Sequence, residues 1–176
     1  MEFRPLELEG AYEILLQPRA DDRGAFSRVF CTDEFARHGL ETRYVQTNTS
    51  WNFKAGTLRG MHLQRPPHGE VKVVRCTRGA VVDVIVDLRP ESKTYKKWIG
   101  LELTEEKRNS IYVPIGFAHG YQALRDDSEV FYMVSAAYAP AHEVGYRWND
   151  PAWNIDWPIK DPILSPKDGV HPDYQG

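Results

Sequence analysis

The sequence predicts a mainly β fold in which short strands form a closed barrel or a sandwich of antiparallel sheets. Alternating or β-branched segments recur about 8–12 residues apart, with Gly, Pro, Asn and Asp between them, which is the spacing of all-β domains. The chain also carries nine Tyr, seven Phe and five Trp, which favour strands and can line a pocket. With 176 residues and no repeat, linker or low-complexity segment, we expect one domain over residues 1–176.

Composition and charge exclude several partners and locations. The net charge is −3, the isoelectric point is about 6.1, and no run of Lys or Arg stands out, so we expect no nucleic-acid partner. The longest apolar run is too short to span a bilayer, so no membrane partner is expected. Cys31 and Cys76 make no disulfide framework and no signal peptide is recognisable, which together predict a cytoplasmic location.

The first elements of the chain are short. Tyr12–Gln17 is a predicted strand, and residues 19–24 form a polar turn. Thr32 is a suitable N-cap and Gly39 a stop signal, so we expect a helix over Thr32–His38. The next predicted strand, Tyr44–Trp51, directs alternate polar side chains to one side, namely Gln46, Asn48 and Ser50.

Residues 25–30 alternate between apolar and polar side chains. This pattern predicts a strand in which Phe26 and Phe30 are packed and Arg28 faces the pocket or water. Arg28 lies five positions after another arginine, Arg23.

The central predicted strand covers residues 56–64 and contains Arg59 and His62, three positions apart. On a regular strand these side chains would face opposite sides, but Gly60 can host a bulge that brings both to one side. Arg suits a phosphate and His suits proton transfer near neutral pH. Taken alone, a surface Arg beside a hydrogen-bonded core His is the more common arrangement.

Two predicted hairpins follow. Val71–Thr77 pairs with Ala80–Leu88 around Arg78-Gly79, and Phe117–Leu124 pairs with Glu129–Ala137 around Asp126-Asp127. Two single strands are expected between them, Trp98–Leu103 and Ile111–Val113. From Ala139 onward Pro and Trp dominate, which predicts an ordered coil.

Histidines on separate strands of a β-barrel suggest a cupin, the double-stranded β-helix or jelly roll. The first cupin motif, a Gly followed after five residues by His-x-His, is met by Gly56 and His62, but Gln64 replaces the second His. The second motif is met by Pro114, Gly116 and His119. An alternative is a metal-binding cupin, for which the remaining candidate ligands would be His62, His119 and Glu70. These three residues make a poor metal site, so we expect no metal.

A longer series of motifs stands in one order along the chain. It comprises Arg59-Gly60-Met61-His62-Leu63-Gln64, Lys72-Val73-Val74-Arg75, Asp83-Val84-Ile85-Val86-Asp87-Leu88-Arg89, Pro114-Ile115-Gly116-Phe117-Ala118-His119-Gly120, Trp148-Asn149-Asp150-Pro151 and Leu164-Ser165-Pro166-Lys167-Asp168. The series resembles the dTDP-4-dehydrorhamnose 3,5-epimerase family, from Asp22-Arg23-Gly24 to Asp168. So many motifs in one order are far more specific than any one of them.

The resemblance implies a reaction and its catalytic residues. His62 is the base that removes the proton beside the C4 ketone, and Asp168 hydrogen-bonds to it. Tyr132 donates a proton on the opposite sugar face, and Lys72 steadies the enolate oxygen. The chemistry of these side chains suits the reaction. Epimerisation needs a base and an acid on opposite faces of the sugar, and the enolate needs preorganised positive charge. Each residue alone could instead be structural: a barrel-filling aromatic, a strand-face charge or a turn cap.

The resemblance also implies the groups that bind a nucleotide-diphosphate 4-ketosugar. Arg59 and, from the partner subunit of a homodimer, Arg23 hold the diphosphate, and Tyr138 stacks on the base. The substrate-binding set is Arg23, Phe26, Arg28, Gln46, Thr47, Asn48, Arg59, Lys72, His119, Tyr138, Glu143 and Lys167.

The sequence departs from the family pattern in three places. Arg28 stands where Glu is usual, Glu70-Val71-Lys72 replaces a Gln-Gly-Lys type of motif, and no Lys follows Tyr132. These departures leave the nucleotide base and the number of carbons epimerised open. For Arg28 there are two alternatives: the protein prefers a nucleotide base other than thymine, or, as we favour, it keeps thymine and Arg28 turns toward a phosphate or a neighbouring acid.

We therefore expect a cofactor-free epimerase acting at C3 and C5 of dTDP-4-keto-6-deoxy-glucose. The rivals are the same chemistry on another nucleotide sugar or at one carbon, a non-catalytic sugar-binding cupin, and the metal cupin.

Overall fold

The structure, a computed structural model, describes residues 1–176 and contains strands with one short α-helix. The strands are β1 (Glu2–Pro5), β2 (Tyr12–Leu15), β3 (Arg19–Asp21), β4 (Gly24–Phe26), β5 (Gln46–Asn52), β6 (Leu58–Gln64), β7 (Lys72–Arg78), β8 (Ala80–Asp87), β9 (Trp98–Thr104), β10 (Ser110–Val113), β11 (Phe117–Ala123), β12 (Ser128–Val134) and β13 (Glu143–Gly145). Helix α1 covers Thr32–Arg37, and 3₁₀ turns cover Pro140–His142 and Asp168–Val170.

Two antiparallel sheets form the body of the molecule. One has six strands in the order β1-β2-β10-β7-β12-β5, and the other has five in the order β13-β6-β11-β8-β9. Strands β3 and β4 form a separate hairpin. Inward-facing side chains of both sheets share one buried cluster, exemplified by Val74 of β7, Ile85 of β8 and Val130 of β12. The mainly β, jelly-roll fold expected from the sequence is confirmed.

The outer faces of both sheets are covered by other parts of the chain. Phe35 of α1 packs with Val73 and Tyr112 outside the six-stranded sheet. The C-terminal coil buries Trp153 and Trp157 against the outer face of the five-stranded sheet. The prediction of an ordered coil after residue 139 is confirmed, because these buried indoles anchor it.

The two long predicted hairpins are wrong. Strand β7 pairs with β10 and β12, whereas β8 pairs with β9 and β11, in the other sheet. Strands β11 and β12 are likewise in different sheets. At Gly79, with φ +75°, and at Asp127, with φ +54°, the chain turns from one sheet to the other. Strand periodicity and turn residues are local signals, and neither specifies which strand becomes the hydrogen-bonding partner.

The predictions for residues 19–32 are partly wrong. Residues 19–24, expected as a turn, contribute both strands of the β3–β4 hairpin, and the predicted strand 25–30 ends at Phe26. Phe26 is 70% exposed because nothing in the chain covers this hairpin, whereas Phe30 packs as expected against Phe35, with ring centroids 4.8 Å apart. Thr32 begins α1 instead of capping it; the cap position is Cys31, which makes no side-chain capping bond.

Helix α1 has six residues, and none of the helices has the length and apolar character that crossing a bilayer requires.

Candidate active site

A bulge in β6 directs Arg59 and His62 to the same side of the sheet. His119 pairs with His62 and Tyr121 with Arg59, so two steps along β11 match three steps along β6. The extra residue lies at Gly60, where an added Cβ would be 2.5 Å from the Cα of Gly120. Only glycine allows this approach of the two strands. The bulge predicted at Gly60 is confirmed.

The polar part of the barrel interior holds two adjoining cavities of about 230 and 210 Å³. His62, Lys72 and Tyr132 line both. The first is also lined by Gln46, Asn48, Leu63, Gln64, Glu70, Val134, Tyr138 and Glu143, and the second by Ser50, Arg59, His119, Tyr121 and Asp168. His62 enters from β6 of one sheet and Tyr132 from β12 of the other.

His62 and Asp168 form a hydrogen-bonded pair at the floor of the cavity. Nε2 of His62 lies 2.7 Å from Oδ1 of Asp168, and Ser165 Oγ donates to Oδ2 at 2.8 Å. Burial alone would raise the pKa of Asp168, but the bonds from His62 and Ser165 bring it below its ordinary value. An ionised carboxylate only accepts, so Nε2 of His62 carries the proton and Nδ1 the lone pair.

Tyr132 faces His62 across the barrel. Burial, and then the neighbouring Tyr121 and Glu70, raise the pKa of Tyr132 above its ordinary value. The phenol therefore stays protonated at neutral pH and can donate a proton.

Lys72 lies in the cavity beside Glu70. The Nζ of Lys72 is 3.2 Å from Oε1 of Glu70, and each side chain is 13% exposed. Lys72 brings the only lysine ammonium among the residues that line the two cavities.

Two further nitrogen-bearing side chains of the second cavity, His119 and Arg59, are held by neighbours. Nε2 of His119 lies 2.9 Å from Oδ2 of the fully buried Asp83. Arg59 donates from Nε to Oδ1 of Asn52 at 3.0 Å. The metal-cupin rival finds no support, because its three candidate ligands do not converge: Glu70 is paired with Lys72 and His119 with Asp83.

Three of the expected substrate residues meet at the cavity rim. The Tyr138 hydroxyl donates to Oε2 of Glu143 at 2.8 Å, and Lys167 is ion-paired with the same carboxylate. The bond to Glu143 raises the pKa of the Tyr138 phenol. Burial would raise the pKa of Glu143, but Lys167 and Tyr138 bring it below its ordinary value. This cluster presents the exposed Tyr138 ring at the mouth of the cavity.

Five expected site residues line neither cavity, and one of them, Lys167, lies at the rim through its ion pair with Glu143. Arg23, whose side chain is 90% exposed, pairs with Asp21 of its own hairpin, and Phe26 lies on the same hairpin. Arg28 is ion-paired with Glu34 at 2.9 Å. Thr47 is exposed, because side chains alternate along β5 and Gln46 and Asn48 take the cavity side.

Sequence reasoning missed two polar residues around the site. In the sequence, Asp83 stands out only as part of a motif, whereas in the structure its buried carboxylate pairs with His119. The available signal was an acidic residue inside the otherwise apolar strand β8. His171 was not considered, and its Nε2 lies 3.5 Å from Oδ1 of Asp168. Its position three residues after Asp168 was the only available signal.

Comparison with known proteins gives consistent similarities. Residues 5–175 match the model of the dTDP-4-dehydrorhamnose 3,5-epimerase family. A Sinorhizobium fredii protein of that name is 44% identical over 90% of this chain and 83% of its own length. A dTDP-4-dehydrorhamnose 3-epimerase of Streptomyces niveus is 43% identical over 96% of this chain and 81% of its own. The crystal structure of the Elizabethkingia anophelis dTDP-4-dehydrorhamnose 3,5-epimerase has a TM-score of 0.96 and 37% identity, covering 99% of this chain and 96% of that one.

Proposed function

Because the chain belongs to the dTDP-4-dehydrorhamnose 3,5-epimerase family, we propose that it inverts C3 and C5 of dTDP-4-keto-6-deoxy-glucose in L-rhamnose-type deoxysugar biosynthesis. The observation that carries the proposal is the position of His62, bound to Asp168, across one cavity from Tyr132. A base and an acid on opposite sides of a bound sugar ring are what inversion requires.

The proton moves in two steps at each carbon. Nδ1 of His62 takes the proton beside the C4 ketone, and the electron pair moves to the C4 oxygen as an enolate. Lys72 stabilises this oxygen with its positive charge. Tyr132 then delivers its proton to the opposite face, and exchange with solvent restores the neutral His62 and the protonated Tyr132.

The other candidate residues bind the substrate. Arg59 and His119 line the second cavity, where a cationic Arg suits the diphosphate. Tyr138 and Glu143 line the first cavity, with Lys167 ion-paired to Glu143, and the exposed Tyr138 ring there suits a nucleotide base. No metal or organic cofactor takes part in this mechanism.

A homodimer would complete the site. The β3–β4 hairpin carries two exposed residues, Arg23 and Phe26, that the family pattern puts at the substrate. A large apolar side chain on an otherwise uncovered hairpin favours a partner surface. We propose that the hairpin reaches a second subunit, where Arg23 contacts the diphosphate, and that the enzyme works in the cytoplasm, the compartment that its cysteine content favours.

Inversion at C3 alone is the second candidate, favoured by the 43% identity to a dTDP-4-dehydrorhamnose 3-epimerase. A substrate with a nucleotide base other than thymine, and a non-catalytic sugar-binding role, are further outcomes that the NMR experiment below distinguishes.

Proton NMR in deuterated water tests the proposal. The purified protein is given dTDP-, UDP-, CDP- and GDP-linked 4-keto-6-deoxy-glucose, and loss of the C3 and C5 proton signals is followed. We expect exchange at both carbons of the dTDP sugar, none with His62→Ala, and similar substrate affinity for that variant because Arg59 is retained. The control is His38→Ala, which removes an imidazole stacked on Phe3 outside the site. Exchange at one carbon supports the second candidate, and binding without exchange supports a sugar-binding cupin.

A further inference from the structure

A third potential metal ligand lies behind the His62–Asp168 pair. Nε2 of His171 is 3.5 Å from Oδ1 of Asp168, and its ring centroid is 5.6 Å from that of His62. The side chain of His171 is 11% exposed, and its Nε2 is buried without a hydrogen-bond partner. Nothing in the proposed epimerisation uses this nitrogen.

The His171 ring is fixed by close packing and by the anchored tail. A Cβ on Gly145 would lie 2.0 Å from Cε1 of His171, so the ring packs directly on the backbone of β13. Directly after His171 in the chain, two hydrogen bonds anchor the tail: Arg147 N donates to the carbonyl of Pro172 at 3.0 Å, and Tyr174 N donates to Oδ2 of Asp150 at 2.5 Å. The imidazole is therefore held in place before any ligand arrives.

The chemistry of the three groups suits a zinc ion. The nitrogens of His62 and His171 and an oxygen of Asp168 lie within 4.8 Å of one another. A tetrahedral Zn²⁺ with ligand bonds of about 2.0–2.1 Å holds its ligand atoms roughly 3.3 Å apart. The His171–Asp168 distance already approaches this value, and the His62–Asp168 distance must widen by roughly 0.6 Å.

We propose that His62, Asp168 and His171 form a Zn²⁺ site whose occupation inhibits the enzyme. The ion takes the lone pair of Nε2 of His62, so the ring proton moves to Nδ1 and the base loses the lone pair that faces the substrate. Water or a substrate oxygen completes the coordination from the cavity side. Zinc binding rests on the geometry alone, whereas inhibition rests on the proposed role of His62 as the base.

The chain offers an internal control. His68 and His142 form another imidazole pair, with ring centroids 4.3 Å apart, away from the cavity floor. No carboxylate joins this pair in a cluster of three potential ligands. Replacing His142 therefore removes a rival zinc contact and leaves the proposed site intact.

The test measures binding and activity separately on chelator-treated protein. Zn²⁺ binding is measured by calorimetry, Co²⁺ is used as an absorbing substitute, and activity is followed by deuterium exchange. We expect the metal-free protein to be active, one Zn²⁺ to bind, and inhibition to follow its occupancy. His171→Ala and His171→Gln should weaken both binding and inhibition by roughly 10-fold or more, without loss of basal activity. His142→Ala should change neither.

The variants must keep the thermal unfolding midpoint of the wild type, and His171→Gln preserves most of the bulk against Gly145. Stoichiometric binding that is unchanged in both His171 variants, absence of stoichiometric binding, or activation by Zn²⁺ would each overturn the proposed site. Binding that depends on His171 but does not inhibit would leave the zinc site standing and contradict His62 as the base.

Discussion

Nε2 of His62 lies 2.7 Å from Oδ1 of Asp168, although the two residues are 106 positions apart. Asp168 is held by its own 3₁₀ turn, where Ser165 Oγ bonds to its second oxygen at 2.8 Å. The C-terminal coil therefore selects which nitrogen of a β6 histidine carries the proton. This contact couples the packing of the tail to proton transfer in the barrel.

Asp168→Asn should leave the fold intact and lower kcat by roughly 10²–10⁴-fold, because an amide that donates to Nε2 moves the ring proton to Nδ1. Deuterium exchange at C3 and C5 measures the loss. Ser165→Ala is the control: it removes the bond to Oδ2 but keeps the carboxylate, so we expect a much smaller decrease. Equal rates for Asp168→Asn and the wild type would show that Asp168 does not orient the base.

Tyr132→Phe should still exchange deuterium but form the inverted product roughly 10²-fold or more slowly. His62 can form the enolate and return a proton to the original face, whereas only the opposite face needs the phenol. NMR follows exchange and product stereochemistry in one sample, with Tyr112→Phe as a control at a buried phenol outside the cavities. Epimerisation at nearly the wild-type rate would mean that the acid lies elsewhere.

Arg28→Glu should leave the order of nucleotide preference unchanged. Of the arrangements that the sequence left open for Arg28, the structure has it beside a neighbouring acid, Glu34, at 2.9 Å. Reversing the charge places two carboxylates together, so the thermal unfolding midpoint should fall slightly. The control is Arg43→Glu, which makes the same charge reversal at an exposed arginine that forms no ion pair. A changed preference among dTDP-, UDP-, CDP- and GDP-linked sugars would instead put Arg28 at the nucleotide, within a dimer.

Gly60→Ala should destabilise the protein by roughly 2–4 kcal/mol, because the added Cβ meets the Gly120 backbone at 2.5 Å and φ is +129°. Chemical denaturation measures the change. Gly24→Ala separates the two causes: its φ is +138°, but no atom lies within 4 Å of the added Cβ. If Gly24→Ala lowered the free energy of unfolding as much as Gly60→Ala, backbone conformation alone would explain the effect and the close contact with Gly120 would not be needed.

Stability should fall in acid partly through Asp87. Burial would raise its pKa, but hydrogen bonds from Arg89, Ser92 and Thr94 lower it from 3.8 to about 2. A lowered folded-state pKa stabilises the protein fully above 3.8, and this contribution is lost as the pH falls towards 2. Asp87→Asn should be less stable than the wild type at pH 6, and the difference should shrink towards pH 2. Thermal unfolding across this range checks the slope, and a difference that does not depend on pH would contradict it.

Local patterns in the sequence determined much of this protein. The glycine between Arg59 and His62 predicted the bulge that brings both into one cavity, and the Trp- and Pro-rich tail predicted an ordered coil. The alternation at Gln46 and Asn48 identified the side chains that face the cavity. These features depend on residues a few positions apart, where side-chain direction and turn preference are set by the backbone itself.

Tertiary structure alone decided the rest. Strands β7 and β8 are consecutive and separated by one glycine, yet they join different sheets because the burial of both inner faces is optimised over the whole barrel. The same long-range packing leaves Phe26 exposed and brings the Asp168 carboxylate to His62. The physical reason is that periodicity tells which face of a strand is buried, whereas the partner that buries it is selected by contacts between residues far apart in the chain.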